Sequence, residues 1–384
     1  MTQIRVFHTA DCHLGAALSG FGAFAQARAK DLLTTFHRLA DKCKETGAHA
    51  FIVAGDLFDN NRPGVELLSE VKRTLCALAS ERVAVVLLPG NHDSIEDPDS
   101  VYLRESFGDE ITIVKPGMPC PIEINTPAGK IYLYAYAGRS RASDVGPPES
   151  MRRREGQGFH LGVLHASMAG NPEWETKSRD LTLNLDAIKA MNFDYLALGH
   201  FHRHQVFRDG DRILASYPGT PEARTFDETG PRYANLVAWE DGRVSLDEIQ
   251  VQTRIVDVRG LDVTPLESQE AVEREICKLA DPNLIAKIEL TGTSAEPLDA
   301  EALQQDLQAC FAWLVVEDGT DSLSMERILP LAGERSVRGI FLSKALDKYE
   351  AFKTAGQEKS PEAVAIMDAI KAAMTEFRRS GIKQ

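Results

Sequence analysis

Short strands separated by helix-length segments constrain the fold of this chain more than any other feature of its 384 residues. Residues 4–9, 50–54 and 83–88 are predicted to be buried strands, and residues 24–45 and 63–79 between them have helical patterns. Strands that are buried on both faces and alternate with helices are typical of a largely parallel sheet. The first half is therefore predicted to have an α/β (α+β) fold with helices flanking the strands.

Polar clusters follow the predicted strands just past their carboxyl ends. The first three strands lead to DCH, GD and GNHD, and later strands at 161–164 and 195–198 lead to a single histidine and to GHFH. Because the carboxyl ends of parallel strands meet at one edge of a sheet, these side chains can share one site. The potential ligands are Asp11, His13, Asp56, Asn91, His165, His200 and His202.

These acids, the amide and the imidazoles form a ligand set for two metal ions. The DxH and HxH pairs each alternate along an extended backbone, which presents both members on one side, and Asp56 can bridge the ions with its two oxygens. Oxygen and imidazole donors suit manganese, iron or zinc. The absence of thiolates argues against a structural zinc site. The predicted partition places Asp11, His13, Asp56 and His202 around one ion, and Asp56, Asn91, His165 and His200 around the other.

The chemistry of such a pair is phosphoester hydrolysis, because two ions about 3.5–4 Å apart polarise phosphate oxygens and activate a water molecule. His92 follows a ligand directly, and we predict that it is the general acid or a transition-state stabiliser. Asp93 is predicted to orient the His92 ring. Asp59 is expected to support the ligands or cap a loop, and Cys12 is expected to point away from the metals.

The formal net charge of −14 argues against a general basic nucleic-acid binder, although it does not exclude a nucleic-acid enzyme. Two divalent cations would add positive charge where a phosphate binds. Local basic groups are present at Arg139, Arg141 and residues 152–154, and the last run fits a solvated loop equally well.

The start of the sequence lacks the basic segment and apolar stretch of a signal peptide, and no apolar run reaches the roughly 18 residues of a membrane span. The six cysteines are scattered without a CxxC spacing. These features predict a cytoplasmic protein that does not enter a membrane.

Three domains are predicted, at residues 1–252, 253–332 and 333–384. Strands at 205–207, 213–215, 233–239 and 244–249 are expected to close a second sheet against the first. Residues 256–318 then alternate strands and helices as a small α+β unit. The tail has helical patterns at 339–354 and 361–379, and the apolar stripe of the second helix can pack on its own domain or bind a partner.

The order DxH, GDLFD, GNHD, a lone histidine and GHFH resembles the calcineurin-like metallophosphoesterases over about residues 5–249. HTADCHLG, AGDLFD and LPGNHD are similar to SbcD-type DNA double-strand-break repair exonucleases, and YPGTPEARTFDETGPR is similar to the YhaO-like subgroup. The resemblance implies a two-sheet metallophosphoesterase sandwich flanked by helices. It also implies that the unit after residue 256 is a DNA-contacting capping domain.

The same resemblance implies a manganese-dependent DNA nuclease with 3′–5′ exonuclease and single-strand endonuclease activity. It further implies a homodimer and an SbcC-type coiled-coil ATPase bound by the C-terminal helices. Eight family ligand positions are matched by the seven residues above, since Asp56 serves both ions, and the histidine acid is matched by His92. Arg139 and Arg224 are candidate substrate-binding residues. The short cap, the acidic chain and the loosely matching tail depart from the family pattern.

Two alternatives to a DNA nuclease use the same residues. A phosphodiesterase or phosphatase for small molecules needs only the metal site, whereas the additional cap and tail favour DNA. A non-catalytic interaction module would not need a complete ligand set with an intact His92.

Overall fold

The first sheet forms around three buried strands, β1 (Ile4–Thr9), β2 (Ala50–Ala54) and β3 (Ala84–Leu88). They pair in parallel, and β4 (Ile111–Ile113) continues the sheet in the same direction. In this computed structural model the described residues are 3–118, 120–137, 151–170, 181–266, 268–292, 294, 298–320 and 325–379. The three predicted strands are confirmed, because runs that are apolar on both faces can be buried only between two layers.

The helices between these strands also agree with the sequence pattern. A 3-10 helix (Ser19–Phe24) leads into α1 (Ala25–Glu45), whose buried side chains include Leu32, Phe36, Leu39 and Cys43 at helical spacing. The helix ends before Gly47, which has a φ of 63°. The remaining helices of this part are α2 (Val65–Ser80) and α3 (Val101–Arg104). Pro63 lies before the N-cap Gly64 rather than inside the first turn of α2.

The second sheet has the order β11-β12-β10-β7-β6-β5. Its central strands β6, β7, β10 and β12 are parallel, and β5 and β11 pair antiparallel at its edges. A short parallel pair, β8 and β9, and helix α4 lie between β7 and β10 in the chain. These elements are β5 (Ile122–Thr126), β6 (Gly129–Ala135), β7 (Phe159–His165), β8 (Ser167–Met168), β9 (Thr182–Leu183), α4 (Leu185–Met191), β10 (Tyr195–Gly199), β11 (Gln205–Asp209) and β12 (Arg212–Tyr217).

The last two strands of this half correct the predicted sheet assignment. β13 (Tyr233–Glu240) and β14 (Arg243–Gln250) do not join the second sheet; β13 pairs antiparallel with β1, so the first sheet has the order β14-β13-β1-β2-β3-β4. The hairpin turns at Asp241 and Gly242, which both have positive φ as a tight two-residue turn requires. The free edge of β1 was available for pairing, and periodicity alone cannot distinguish one sheet edge from another.

The two sheets pack face to face. His8 on β1 and Tyr195 on β10 meet at 3.0 Å between Nδ1 and the hydroxyl oxygen, and both side chains are fully buried. A Cβ at Gly199 would lie 1.8 Å from the carbonyl oxygen of Ala54, so the ends of β10 and β2 are in direct contact. Helix α2 contacts β3 and β4 of the first sheet, α1 packs against α2, and α4 lies by β12 of the second sheet. The predicted two-sheet sandwich flanked by helices is confirmed.

The chain divides into two compact units, Met1–Ile255 and Val256–Gln384. The second unit begins with a sheet of order β15-β16-β17, in which β16 and β17 are parallel, and it has its own apolar core. Its elements are β15 (Ile255–Asp262), α5 (Gln269–Cys277), β16 (Asp281–Thr291), α6 (Ala300–Leu307), a 3-10 helix (Gln308–Cys310) and β17 (Phe311–Asp318). The predicted division into three domains, with a capping role for the second, stays a prediction.

The tail forms three helices, α7 (Met325–Ala332), α8 (Val337–Thr354) and α9 (Pro361–Arg379), of which the sequence pattern indicated only the last two. The apolar stripe of α9 packs into a cluster with residues of α7 and α8; Ile370 and Met374 are buried there beside Leu342. Packing on its own domain is therefore the correct alternative for this stripe. Within the described residues, none of the helices has the length and apolar character needed to cross a membrane.

Candidate metal centre

The seven predicted ligands converge at one edge of the two sheets, past the carboxyl ends of β1, β2, β3, β7 and β10. The edge is common to both sheets because β2 lies against the ends of β7 and β10. Asp11 and His13 are fully buried, and Asp56 is 2% exposed. The structure thus brings together side chains from five strands that are up to 191 positions apart in the chain.

The backbone at the ligands is strained rather than extended. Asp11, His13, Asp56 and His200 have φ values of 53°, 45°, 48° and 104°, and they make up half of the eight non-glycine residues with positive φ in the described ranges. The expected reason for the pairing of the DxH residues, an extended backbone, is therefore wrong. Such left-handed residues concentrate at functional sites, where the surrounding structure holds them.

One group of ligands forms around His13. Its Nε2 lies 3.3 Å from Nε2 of His202 and 3.7 Å from Oδ2 of Asp56. Asp11, His13 and His202 each place a ligand atom within 4.8 Å of the others. The carboxylate of Asp11 also accepts the backbone N–H of His200 at 2.9 Å, which ties β1 to β10.

A second group of ligands forms around His165. Its Nε2 lies 2.8 Å from Oδ1 of Asn91, 3.4 Å from Oδ2 of Asp56 and 3.3 Å from Nδ1 of His200. Nδ1 of His200 is also 3.1 Å from Oδ1 of Asn91. These are the side chains that the sequence partition assigned to a second ion.

Asp56 lies between the two groups. Its Oδ2 faces His13 on one side and His165 on the other, whereas its Oδ1 accepts the backbone N–H of His92 at 2.8 Å. A single oxygen therefore faces both groups in this structure, and bridging of two ions by the two oxygens of Asp56 stays a prediction. The hydrogen bond from His92 fixes the carboxylate in this orientation.

Three imidazoles each contact an oxygen through Nδ1, and this contact directs Nε2 towards the other potential ligands. Nδ1 of His13 lies 3.2 Å from Oδ1 of Asp59, Nδ1 of His202 lies 2.8 Å from Oε1 of Glu228, and Nδ1 of His165 lies 3.0 Å from the carbonyl oxygen of Ala54. An Nδ1–H that donates to an oxygen leaves the Nε2 lone pair free for a cation. Glu228 was missed by the sequence analysis: it lies within the segment YPGTPEARTFDETGPR, but no spacing in that segment indicates a contact with a ligand.

Three glycines make room for the ligands. A Cβ at Gly55 would lie 1.9 Å from Nδ1 of His165, and a Cβ at Gly90 would lie 2.2 Å from Oδ1 of Asp56. Gly199, next to His200, meets the backbone of Ala54 as described above. The glycines of the GD, GNH and GH motifs are thus required by close approach at the site itself.

The electrostatics of the metal-free centre couple Asp56 and His165. Burial favours the neutral acid, but the His165 and His13 imidazoles outweigh it and hold the pKa of Asp56 below its ordinary value. Burial likewise opposes charge on His165, yet the carboxylates of Asp56 and Asp11 raise its pKa to about 10. Burial raises the pKa of Asp11 to about 6 and lowers that of His13 to about 4. The carboxylates of Asp56 and Asp11 thus favour a positive charge next to them at this position.

Glu228 is ionised in this environment. Burial would raise its pKa, but the hydrogen bond and charge of His202 outweigh burial and lower the pKa to about 2. Its second oxygen accepts the backbone N–H of Arg224 at 2.6 Å. The carboxylate can therefore stabilise positive charge on His202 or on a cation bound to it.

His92 lies at the open side of the centre, with its side chain 42% exposed. Its ring centroid is 4.7 Å from that of His13, and its Nδ1 is 3.1 Å from the backbone carbonyl oxygen of Asp59. His13, Asp56 and His92 also have ligand-type atoms within 4.8 Å of one another, so proximity alone does not separate an acid from a ligand.

Asp93 does not orient the His92 ring, which corrects the predicted role. Its buried carboxylate accepts from the backbone N–H groups of Gly90 and Phe58 and from the hydroxyl of Tyr102, at 2.7, 3.0 and 2.7 Å. It makes no hydrogen bond to His92 in the part of the chain that the structure describes. Asp93 instead ties the GNHD loop to the GDLFD loop, and Asp59 holds both His92 and His13.

The predicted basic residues have different locations. Arg224 lies at the centre, with Nη1 3.4 Å from Oδ1 of Asp59, whereas Arg139 and Arg141 lie outside the described residues. The run 152–154 precedes β7 and so lies at the end of that strand away from His165; Arg153 pairs there with Asp194 at 2.7 Å. Cys12 is buried, burial raises the pKa of its thiol, and Sγ lies 4.0 Å from the carbonyl oxygen of Ala10.

The donor set fits divalent cations. Several lone-pair atoms, including Nε2 of His13, His165 and His202, lie within 3.3–3.7 Å of another ligand atom, and such crowding requires a proton or a cation between them. Carboxylate, amide and imidazole donors suit manganese, iron or zinc. The two groups that share Oδ2 of Asp56 fit a pair of ions.

Comparisons with known proteins agree with this geometry. The family model for calcineurin-like phosphoesterases matches residues 4–204. An uncharacterized metallophosphoesterase, YhaO of Bacillus subtilis (strain 168), is 26% identical over 77% of this chain and 74% of the relative. SbcD, a subunit of the SbcCD nuclease of Escherichia coli (strain K12), is 26% identical over 75% of this chain and 78% of the relative. The DNA double-strand break repair protein Mre11 of Methanosarcina acetivorans is 25% identical over 66% of this chain, but only 39% of that protein is covered.

Proposed function

The chain belongs to the calcineurin-like phosphoesterase family, and from that premise we propose that it is a two-metal DNA nuclease. The family match and the groups of potential ligands support a metal-dependent phosphoesterase. DNA as the substrate is supported by relatives named as nucleases or as a double-strand break repair protein. We propose 3′–5′ exonuclease and single-strand endonuclease activity in double-strand-break repair, with manganese as the metal.

The observation that carries the proposal is the pair of ligand groups that meet at Oδ2 of Asp56, with His92 beside them. Asp11, His13 and His202 would hold one ion with Asp56, and Asn91, His165 and His200 would hold the other with Asp56. When bound, two divalent ions make a water molecule more acidic and neutralise charge on a phosphate.

The residues around the ligands prepare this site for a charged substrate. Asp59, Glu228 and the carbonyl of Ala54 keep the imidazole tautomers fixed, so no reorientation is needed when a substrate arrives. Burial of Asp11 and Asp56 keeps bulk water from their carboxylates.

His92 is the proton donor in this proposal. The carbonyl oxygen of Asp59 accepts a hydrogen bond from Nδ1, which leaves Nε2 to face the substrate at the open side. A proton on Nε2 can pass to the alkoxide oxygen that leaves phosphorus, and the imidazole is neutral afterwards.

The test of this function uses purified protein, linear double-stranded DNA and manganese. We expect degradation of the DNA that stops when manganese is chelated and that is absent in Asp56→Asn, because one oxygen of Asp56 faces both ligand groups. Asp247→Asn, an exposed position on β14, is the matched control and should remain active. Hydrolysis of nitrophenyl esters or nucleotides without any cleavage of DNA, even with an ATPase partner present, would favour a small-molecule phosphodiesterase.

The proposed partner is an SbcC-type coiled-coil ATPase, and the proposed assembly is a homodimer. A relative is named as a subunit of the SbcCD nuclease, which supports a multi-subunit assembly. The α9 stripe is occupied internally, but the tail helices expose Leu329, Val337, Ile340 and Val364 elsewhere. Truncation after Ser336 should abolish co-purification with the ATPase; unchanged co-purification would contradict docking through α8 and α9.

A further inference from the structure

We propose that Arg224 binds a non-bridging oxygen of the substrate phosphate, beside His92. The inference rests on the proposed phosphoesterase function and concerns the same site. Nη1 of Arg224 is 3.4 Å from Oδ1 of Asp59, and Nδ1 of His92 is 3.1 Å from the carbonyl oxygen of that same residue. Asp59 therefore contacts both the guanidinium of Arg224 and the imidazole of His92, next to His13.

The donors of Arg224 are weakly used by the protein itself. Its contact with Asp59 is long for a charge-assisted hydrogen bond, and within the described ranges the buried Nε has no hydrogen-bond partner. Arg28 shows the opposite case, because its Nη1 lies 2.7 Å from Asp31 and its Nη2 lies 2.6 Å from Glu222, with the side chain fully buried. Arg28 is a structural arginine, whereas Arg224 is 19% exposed and retains donors for a ligand.

The backbone that carries Arg224 is fixed on both sides. Its own N–H donates to Glu228 at 2.6 Å, and Glu228 is bound in turn to His202. Two residues earlier, the buried carboxylate of Glu222 binds Arg28, the Thr35 hydroxyl and the N–H of Thr253. A side chain that starts from a fixed backbone loses less freedom when it binds, which favours a binding role.

The charge of the site identifies the class of ligand. The carboxylates of Asp11, Asp56, Asp59 and Glu228 would be offset by two divalent ions, and Arg224 then adds positive charge at the exposed side. A guanidinium presents paired donors that match the oxygens of a phosphate. The ligand is therefore a phosphoester, and the arginine contributes to its binding more than to the choice of a base or sugar.

The experiment measures phosphate affinity directly. Inorganic phosphate is titrated calorimetrically into the manganese-loaded protein, and its inhibition constant is measured with bis(4-nitrophenyl) phosphate and with linear DNA. We expect Arg224→Gln to weaken phosphate binding and to raise KM about tenfold to hundredfold, the usual effect of losing a charged hydrogen bond. Arg224→Lys, which keeps the charge but not the paired donors, should fall between Arg224→Gln and the native protein.

Arg153→Gln is the matched control, because it also removes one positive charge but lies at the far end of β7. Unchanged phosphate affinity in Arg224→Gln would overturn the proposal. So would loss of bound manganese in both Arg224 variants, since the arginine would then act through Asp59 or Glu228. If the native protein cleaves the small diester but not DNA, the nuclease proposal fails while the phosphate titration still decides the role of Arg224.

Discussion

Three imidazoles at the centre, those of His13, His165 and His202, each have an oxygen within hydrogen-bond distance of Nδ1, and that oxygen decides which tautomer the ring adopts. For His13 and His202 the oxygen belongs to a carboxylate, of Asp59 and Glu228, and for His165 it belongs to the backbone of Ala54. Both kinds of oxygen orient the ring and raise its basicity, and a carboxylate adds a full negative charge that a neutral carbonyl does not have. We therefore expect that metal affinity depends on the carboxylates that bind His13 and His202.

Removal of the Glu228 carboxylate should weaken metal binding. We expect Glu228→Ala to lower manganese affinity by about tenfold to hundredfold, because His202 loses the acceptor that directs its Nε2 inward. Glu228→Gln, which retains an acceptor oxygen, should lose less. Calorimetric titration of the metal-free protein measures the change, and Glu240→Ala, exposed at the end of β13, is the control. Native affinity in Glu228→Ala would show that the tautomer of His202 does not need this acid.

Replacement of His92 separates an acid from a ligand. His92→Ala should keep both metal ions and lower turnover by about 10²–10⁴-fold, the usual contribution of general acid–base catalysis. Metal content measured by mass spectrometry, together with a crystal structure of the variant, checks the first part. Loss of one ion in that crystal would mean that His92 is a ligand, which its distance from His13 and Asp56 allows.

At the scale of elements, the segment between β12 and β13 explains how distant groups reach the centre. β12 belongs to the second sheet and β13 to the first, so residues 218–232 must cross from one sheet to the other. The crossing is anchored on α1 by the buried pair Arg28–Glu222. Arg224 and Glu228 lie in the middle of this crossing, which places both beside ligands that come from other strands.

The strand-end glycines give an element-scale prediction. A non-glycine residue with a left-handed backbone costs about 1–2 kcal/mol. Gly55→Ala should lower the free energy of unfolding by more than this, because the added Cβ would also overlap the His165 ring. Gly242→Ala is the matched control, since Gly242 has a φ of 78° but open space around it. Urea unfolding of the metal-free proteins measures both values. Equal losses would show that β2 and His165 can move apart at no cost.

At the scale of the whole molecule, the predicted ligands all belong to the first of the two units. The site uses residues of Met1–Ile255, whereas Val256–Gln384 has cores of its own around Ile288 and Leu342. A ligand that binds only the folded state stabilises the part of the molecule that contains its site.

Calorimetric scanning should therefore show a metal-dependent and a metal-independent transition. Manganese at about 100 times its dissociation constant should stabilise the first unit by about 2.7 kcal/mol per ion relative to chelator, and the second transition should not move. Asp56→Asn should remove most of the shift, since both ligand groups share that residue. Equal shifts of both transitions would show that the two units unfold together.

The strands and the potential ligands were predictable because both depend on short-range rules. Apolar runs of five or six residues place β1, β2 and β3, and in parallel strands a polar residue past the carboxyl end must lie at the common edge. The left-handed backbone of Asp11 and His13 was not predictable, because aspartate and histidine occur more often with ordinary φ values.

The sequence by itself determined the class of chemistry, because all seven potential ligands lie within a few residues of a strand end. Only the tertiary structure decided what surrounds them. In the folded protein, Asp93 accepts a hydrogen bond from Tyr102 rather than contacting the His92 ring, and Glu228 contacts His202. Strand β13 pairs with β1 rather than joining the second sheet. These contacts join residues that are distant in the chain and belong to no period, so they follow from how the two sheets pack and where the chain crosses between them.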